Sequence, residues 1–470
     1  MCSPPDIARD HFIIESVRDR RRKLVYRGTV HGPSTTRSAA ASFIEGLLGK
    51  LREDQTALAE TSAALEAELV RRSIYFGDGL LPTYPVPFFA ASNELDDWIA
   101  RSEALAATVE EVAHEALRDP AMMRVLQLRP DAREWIEVDP GYPTISVLAR
   151  PDAVFCRDAQ GKRQIAYVEY NSDSPAMMAF SDHVSECILA LPYLAAHQRR
   201  LQGERMLPML LDTLLGCYRA YGGSSSTPTI AIADWPGQKT RYEHARIAEH
   251  FEAQGCATIV CDPRSFTRPN RRLEHEGRPI DLVYRRALFI ELLDKKDEVA
   301  PLLSAYRDGA VCMVNPLRSC LAASKTLLAF LCKNWPAHRG PCPVVPTRLL
   351  GPERVAQLRE RPLHVVLKKG ESHGGLHVLL PELASDAQRN AALDDALIAP
   401  WVEQDFAELP KLGVPTPDAP FAQKFFNWNP FLFGGRYAGA IARASDTPLI
   451  NITLGGGLLP TLRVLDDASG

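Results

Sequence analysis

Val168-Glu169-Tyr170-Asn171-Ser172-Asp173-Ser174-Pro175 is a strand running into a turn, and its reading decides the fold. Side chains two apart on a strand share a face, so Glu169 and Asn171 point the same way, with Cα atoms about 6–7 Å apart. Upstream, Arg150-Pro151-Asp152 sets a carboxylate beside a guanidinium, and Pro151 requires an edge position or a strand start. Asp152, Glu169 and Asn171 form a hard oxygen set of the kind that Mg²⁺ accepts while keeping waters and sharing phosphates. An ordinary ion pair between Glu169 and Arg150 accounts for the same residues equally simply.

Working outward, residues 1–140 are expected to be mostly helical. Phe43, Leu47, Leu51, Leu58, Leu65 and Leu69 mark one face between Thr35 and Ser73. A second helix is expected after the capping oxygens of Ser92-Asn93, beyond Pro82, Pro85 and Pro87. The region serves either as a packing layer or as a substrate-selecting cap. Residues 141–225 turn extended, with strands at Ile145–Leu148, Ala153–Cys156 and Gln164–Asn171, a turn at Asp158–Gly161, and helices from Ala179 to Tyr221. Gly222-Gly223-Ser224-Ser225-Ser226 reads as a linker.

Residues 226–316 alternate strand and helix, which predicts a small parallel α/β domain. Its strands are expected at Thr229–Ala233, Ala257–Cys261, Ile280–Tyr284 and Ala310–Val314, with helices at Arg241–Gln254 and Glu291–Tyr306. It lacks a GxGxxG turn, which argues against a dinucleotide site. Residues 317–470 open with a helix to Leu331, continue to a strand at His364–Lys368 and end β-rich.

The chain has 470 residues, a soft prior of about three domains. Its apolar and charged fractions, 46% and 24%, exclude a collagen-like or wholly disordered chain. A net charge of −4 supplies no global basic field for nucleic acid or an anionic membrane. No targeting or bilayer-spanning segment is read, since Met206–Tyr218 is too short and is broken by Asp212. Ten cysteines without a CxxC pair suit small buried thiols in a reducing, cytoplasmic setting.

Two further clusters carry chemistry. Val365-Val366-Leu367-Lys368-Lys369 leads into Gly370-Glu371-Ser372-His373-Gly374-Gly375. A lysine-ended strand before a glycine loop can cradle phosphates, or the stretch is a plain hairpin whose turn simply needs glycine; the spacing is not that of a Walker A loop. The last cluster spans Phe421 to Pro460, with a hairpin at Gly434-Gly435 and Arg443 inside Ala-Ile-Ala-Arg-Ala. A charge embedded in an apolar run needs a partner or an anionic ligand. Phe425, Phe426, Phe431 and Phe433 read as core.

Taken in order, these motifs resemble the circularly permuted ATP-grasp proteins, the group that includes the synthetase domain of glutathionylspermidine synthase. The resemblance covers roughly residues 90 to 465. It rests on Arg150-Pro151-Asp152, Glu169-Tyr170-Asn171-Ser172-Asp173-Ser174-Pro175, Lys325 after an Asn-Pro strand end, Lys368 with its glycine loop, Gln423 and Arg443. It implies an α+β/α/β chain with a permuted ATP-grasp fold, a preceding helical region and a small Rossmann-like domain. The metal strand would lie within 141–225, the Rossmann-like pre-ATP-grasp domain at 226–316 and the nucleotide-binding lobes at 317–470.

The implied activity is ATP- and Mg²⁺-dependent amide formation from a carboxylate and an amine, through an acylphosphate. By resemblance, Asp152, Glu169 and Asn171 would hold Mg²⁺. Lys325, Lys368, Gly374, Gly375, Gln423 and Asn451 would contact the nucleotide, and Arg150 and Arg443 would serve the reacting groups. Many relatives have proline after the second lysine, so Lys368 and Lys369 compete for the role, and strand alternation lets only one face the cleft. Arg285 and Arg286 are candidates for recognising a substrate carboxylate. A small amino acid or peptide-like acid is the expected substrate, and a homodimer suits a ligase of this size. A phosphotransferase, a non-amine acyl ligase and a silent nucleotide-binding protein stay open as alternatives.

Overall fold

The computed structural model describes residues 39–470 except 127, 158–160, 362–363, 372–376, 408, 417–418 and 466–470, with backbone alone at 11–14, 24–27, 125, 419 and 420. Three sheets organise it. The largest runs Phe88–Ala91, Gly457–Val464, Arg436–Ser445, Ala419–Phe433, Leu148–Arg157, Arg163–Asn171 in spatial order. Residues from 141–225 and from 317–470 thus share one sheet, joined where Trp428 opposes Ala153 and Phe433 opposes Leu148.

Within this sheet the sequence expectations change in three places. One strand, Leu148–Arg157, replaces the two expected at Ile145–Leu148 and Ala153–Cys156. It cannot start earlier because Glu110 accepts hydrogen bonds from the backbone N–H groups of Ile145 and Ser146, at 2.6 and 2.9 Å. Phe88–Ala91, inside the region expected to be helical, is a strand parallel to Gly457–Val464. Its short apolar run has no alternation to announce it. The turn expected at Asp158–Gly161 lies, for 158–160, outside the described residues.

The helix Ser92–Arg118 packs its Leu95, Trp98, Leu105 and Val109 stripe into the core. Trp98 meets Phe155 and Trp428 edge to face, with ring centroids at 5.0 and 5.4 Å. Ala91, not Ser92 or Asn93, precedes the first turn, and no side chain caps it. The stretch expected as one helical face before Ser73 divides at Asp54. Its extended backbone lets the carboxylate accept from Ala57 N at 3.0 Å and start a new helix, Gln55–Arg71, after Ala39–Glu53. Phe426, Phe431 and Phe433 are buried as expected of core.

The α/β domain has a parallel sheet ordered Thr258–Cys261, Ile230–Ala233, Leu282–Arg285, Cys312–Val314. The helix expected from Glu291 to Tyr306 is two, Phe289–Asp294 and Ala300–Arg307, parted by the exposed Lys295-Lys296-Asp297-Glu298. The third sheet is antiparallel: Thr347–Leu349, Trp401–Asp405, Val365–Lys369, Val378–Leu379. No helix among the described residues is long and apolar enough to cross a membrane.

Asn315 joins the α/β domain to the large sheet. Its amide donates to Leu148 O, Ser172 O and Asp173 O (2.9, 2.7 and 3.1 Å) and accepts from Leu148 N at 2.8 Å. Asn315→Ala leaves these buried groups unmatched and is expected to destabilise the protein by about 2–4 kcal/mol. A fall in the urea midpoint checks this, and an unchanged midpoint would show that the joint adds little.

Candidate active site

The ladder between Leu148–Arg157 and Arg163–Asn171 sets Arg150 opposite Asn171 and Asp152 opposite Glu169. Residues directly opposed in an antiparallel pair have Cβ atoms about 4.5–5.5 Å apart, so the expected oxygen set converges. Glu169 takes a different partner from the Arg150 considered above. Glu169 Oε1 meets Lys325 Nζ at 3.0 Å, and Asp152 Oδ2 accepts from Arg443 Nη2 at 2.6 Å. Arg150 donates Nη1 to Ala176 O at 3.1 Å. Its Nε, 3.4 Å from Asp152 Oδ1, is buried without a hydrogen bond.

Lys325 is delivered by a cap. Ser324 accepts from Thr326 N and starts the helix Lys325–Asn334, which puts the lysine side chain at its first turn, 2% exposed. Lys325 N also donates to Gly370 O at 3.1 Å, and Gly370 N to Pro400 O at 2.8 Å. A Cβ at Gly370 would come within 3.2 Å of Pro400 O and of Thr326 Cγ2, which explains the glycine after the two lysines.

Strand parity sends Lys368 and Lys369 to opposite faces, and packing against the large sheet decides between them. Lys368 Nζ faces the large sheet, donating to Val168 O at 2.8 Å and Gln404 Oε1 at 2.7 Å. Lys369 points to the opposite face, toward Asp395 Oδ2 at 2.8 Å. Burial lowers the Lys368 pKa to about 8, with Glu169 opposing and Lys325 reinforcing the shift. Burial pushes the other way on Glu169, but Lys325 and Lys368 hold it well below the ordinary carboxylate range.

Arg443 stands opposite Asn427 and donates Nε to Asn427 Oδ1 at 3.3 Å. The Asn429 amide satisfies its neighbours when its nitrogen faces Asp152 Oδ1 at 3.2 Å and its oxygen faces Arg443 Nε at 3.1 Å. Gln404, Asn427 and Asn429 belong to the site although sequence reading singled out none of them. Their signal was polar side chains interrupting apolar strands.

Two cavities meet here. The smaller, about 160 Å³, lies between the large and third sheets and includes Val154, Val168, Val366, Leu380, Phe406 and Lys368 in its lining. The larger, about 440 Å³, opens toward the α/β domain. Arg150, Glu169, Asn171, Arg443 and Asn451 line both, so they mark the junction. Asn451 Oδ1 accepts from Thr453 N at 2.8 Å.

Other expected residues fall elsewhere. Gln423 is exposed and lines neither cavity; it shares a strand face with Asn427 but lies roughly 13 Å along the strand. Gly374, Gly375 and His373 lie outside the described residues. Arg285 and Arg286 are not free to take a substrate carboxylate. Arg285 is 1% exposed, paired with Asp173 Oδ1 at 2.6 Å and bonded to Ala287 O at 2.7 Å and Asn315 O at 3.1 Å. Arg286 donates to Pro175 O and to Tyr284 Oη. Both fasten the loop after Asn171 to the α/β domain. Cys320 lines the larger cavity, and burial pushes its thiol well above the ordinary range, which suits a packing role.

Among the described residues no group of three or more His, Cys, Asp or Glu gathers as a ready-made metal cage. The donors nonetheless fit Mg²⁺. Glu169 and Asn171 line both cavities, the Asn171 amide nitrogen donating to Arg150 O at 3.2 Å, and Mg²⁺ ordinarily takes one or two carboxylates and completes its shell with waters and phosphates.

No family model and no curated protein matches the chain. Solved structures do. A putative gamma-glutamylcysteine synthetase from Methylobacillus flagellatus KT aligns over 81% of this chain and 90% of its own at 11% identity, TM-score 0.39. The ATP-grasp ligase PsnB, solved with minimal precursor, Mg and ADP, aligns over 51% and 90% at 12% identity, TM-score 0.28. A glutathione synthetase-like effector, GSS30 from Globodera pallida in its apo form, aligns over 89% of this chain and 99% of its own at 12% identity and a TM-score of 0.63. That last similarity spans nearly both chains, and this protein shares the fold of a glutathione synthetase-like effector.

Proposed function

We propose that this protein is an ATP- and Mg²⁺-dependent carboxylate–amine ligase that works in the cytoplasm and forms an amide, ADP and phosphate through an acylphosphate. One observation carries the reading: among the described residues, Arg150, Lys325, Lys368 and Arg443 converge with two carboxylates, Asp152 and Glu169, where two cavities meet. Such a surplus of cations suits a cleft in which several anions must lie together. The permuted order of the motifs along the chain supports the same reading.

The smaller cavity, where Val154, Val168, Val366, Leu380 and Phe406 line the space between two sheets, suits the adenine, with Lys368 and Lys325 toward the phosphates. Asp152, Glu169 and Asn171 would hold Mg²⁺, which when bound offsets phosphate charge and orients the γ-phosphoryl group. Arg150 and Arg443 then hold the acid's carboxylate at the junction. A carboxylate oxygen attacks the γ-phosphorus, the bond to the β–γ bridging oxygen breaks and ADP leaves. The amine nitrogen next attacks the acyl carbon, and phosphate departs with the C–O bonding pair. The amine must also shed a proton. Glu371 lines the larger cavity, and burial raises its pKa, bringing this carboxylate nearer the operating pH of a general base.

ADP release tests the reading, with acids and amines offered singly and in pairs. Release that needs both an acid and an amine supports it; ATP hydrolysis indifferent to either would sink it. Glu371→Gln is expected to slow amide formation about 10²-fold while hydroxylamine, which needs little base assistance, still traps acylphosphate at near wild-type rate. Equal slowing of both would remove Glu371 from the amine step.

A further inference from the structure

We infer that the acid accepted by this site carries a bulky apolar group, of leucine to phenylalanine size, seated against the helix Phe289–Asp294. The inference rests on the ligase reading for where the carboxylate lies and goes beyond it in naming the rest of the substrate. The larger cavity, about 440 Å³, is of the size that encloses a drug-sized molecule. Two of its lining residues have a buried polar atom without a hydrogen bond: Arg150 Nε at the junction with the smaller cavity, 3.4 Å from Asp152 Oδ1, and Asp173 Oδ1, which Arg285 meets at 2.6 Å.

Away from that junction, Arg129 and Asp173 already have partners, and Glu371, on the same lining, accepts from Arg129 N at 3.4 Å. Arg129 bonds to Asp131 and Asp294 at 2.6 and 2.7 Å, and Asp173 pairs with Arg285 at 2.6 Å. Ser174 donates its hydroxyl to Arg286 O at 2.7 Å. What faces the space between them is Phe76, Met177, Leu288, Phe289, Ile290 and Leu293. A polar side chain placed there would lose its water hydrogen bonds and find few replacements, whereas a hydrocarbon would be favoured roughly in proportion to its area.

The position of this wall is built in. Ile230–Ala233 and Leu282–Arg285 are neighbouring parallel strands with their onward partners on opposite sides. The crevice beyond their carboxyl ends is where open α/β sheets receive ligands, and Thr240 and Leu288 line the cavity from there. Asp173 Oδ2 accepts from Phe289 N at 2.9 Å. This bond ties the apolar helix to the loop that follows Asn171, so the wall keeps a fixed distance from Arg150.

Competition among acids tests the inference, with full-length protein, Mg²⁺-ATP and hydroxylamine as the common nucleophile. Hexanoate, 3-phenylpropanoate, leucine and phenylalanine are compared with acetate, succinate, glycine and glutamate. At least one apolar acid is expected to exceed every polar or small one in kcat/KM by about ten- to a hundredfold. Ile290→Asp, at a half-buried position, is expected to cancel that preference while Mg²⁺-ATP affinity is kept. Fastest turnover with a polar acid, or a preference that survives Ile290→Asp, overturns the inference and leaves the ligase reading intact. If Mg²⁺-ATP fails to bind, the ligase reading falls by itself. The inference is then decided by calorimetry of 3-phenylpropanoate against succinate, where tighter binding of the former upholds it and equal or absent binding overturns it.

Discussion

Glu169→Gln is expected to lower acid-dependent ADP release about 10²–10³-fold, with the fold intact. The substitution keeps the shape and the hydrogen-bond acceptor toward Lys325 but removes the charge that holds that lysine at 3.0 Å. Among the described residues Asp152 would then be left as the carboxylate facing four cations. Two consequences separate a role in the reaction from mere structure. Without magnesium, ATP should bind the variant as tightly as wild type or more so, because the surplus of positive charge has grown. With magnesium, turnover should collapse, because the metal has lost its carboxylate from this strand. Nucleotide titrations with and without chelator, beside steady-state rates, measure both. Turnover within threefold of wild type would remove Glu169 from the reacting centre.

The charged members of this site were legible in the sequence because burial makes charge conspicuous. Arg443 in an alanine- and isoleucine-rich strand could not be solvated on both faces, so it needed a partner or an anion, whereas Lys368 ending Val-Val-Leu was equally open to a plain hairpin turn. The amide members were not legible. Asn427 and Gln404 look like solvent-facing strand residues until register places Asn427 opposite Arg443 and carries Lys368 to Gln404 at 2.7 Å. Parity alone could say that Lys368 and Lys369 part company, but not which one faces the cleft; the packing of the third sheet on Val168 decides that. Arg285 and Arg286 misled for the converse reason. A pair of arginines at a strand end resembles a carboxylate clamp, and their partners, Asp173 and the Pro175 carbonyl, lie more than a hundred residues away. The alternation that announced the α/β domain was local and therefore readable, whereas the strand Phe88–Ala91 owes its state to a partner at the far end of the chain.

Replacing Lys368 with methionine is expected to weaken ATP binding about 10²-fold near pH 7, while Lys369→Ala, on the other face, changes it by less than threefold. The argument turns on what the buried ammonium costs before ATP arrives. Burial lowers its pKa from 10.5 to about 8, a penalty of roughly 3 kcal/mol on the charged form. Below pH 8 the folded and unfolded chains both hold this proton, so the penalty is fully present. Between about 8 and 10.5 only the unfolded chain holds it, so this group makes stability rise with pH across that window. ATP affinity runs the opposite way, since the free protein loses the cation that meets the phosphates as pH climbs through about 8. Lys368→Arg, charged throughout, should keep affinity level to pH 9, and Lys368→Met should be level but weak. Urea unfolding of wild type and Lys368→Met at pH 7.5 and 10 reads the stability arm, because only wild type contains the rising contribution. Wild-type affinity that holds steady from pH 7 to 9.5, or that survives in Lys368→Met, would show that the phosphates do not reach this lysine.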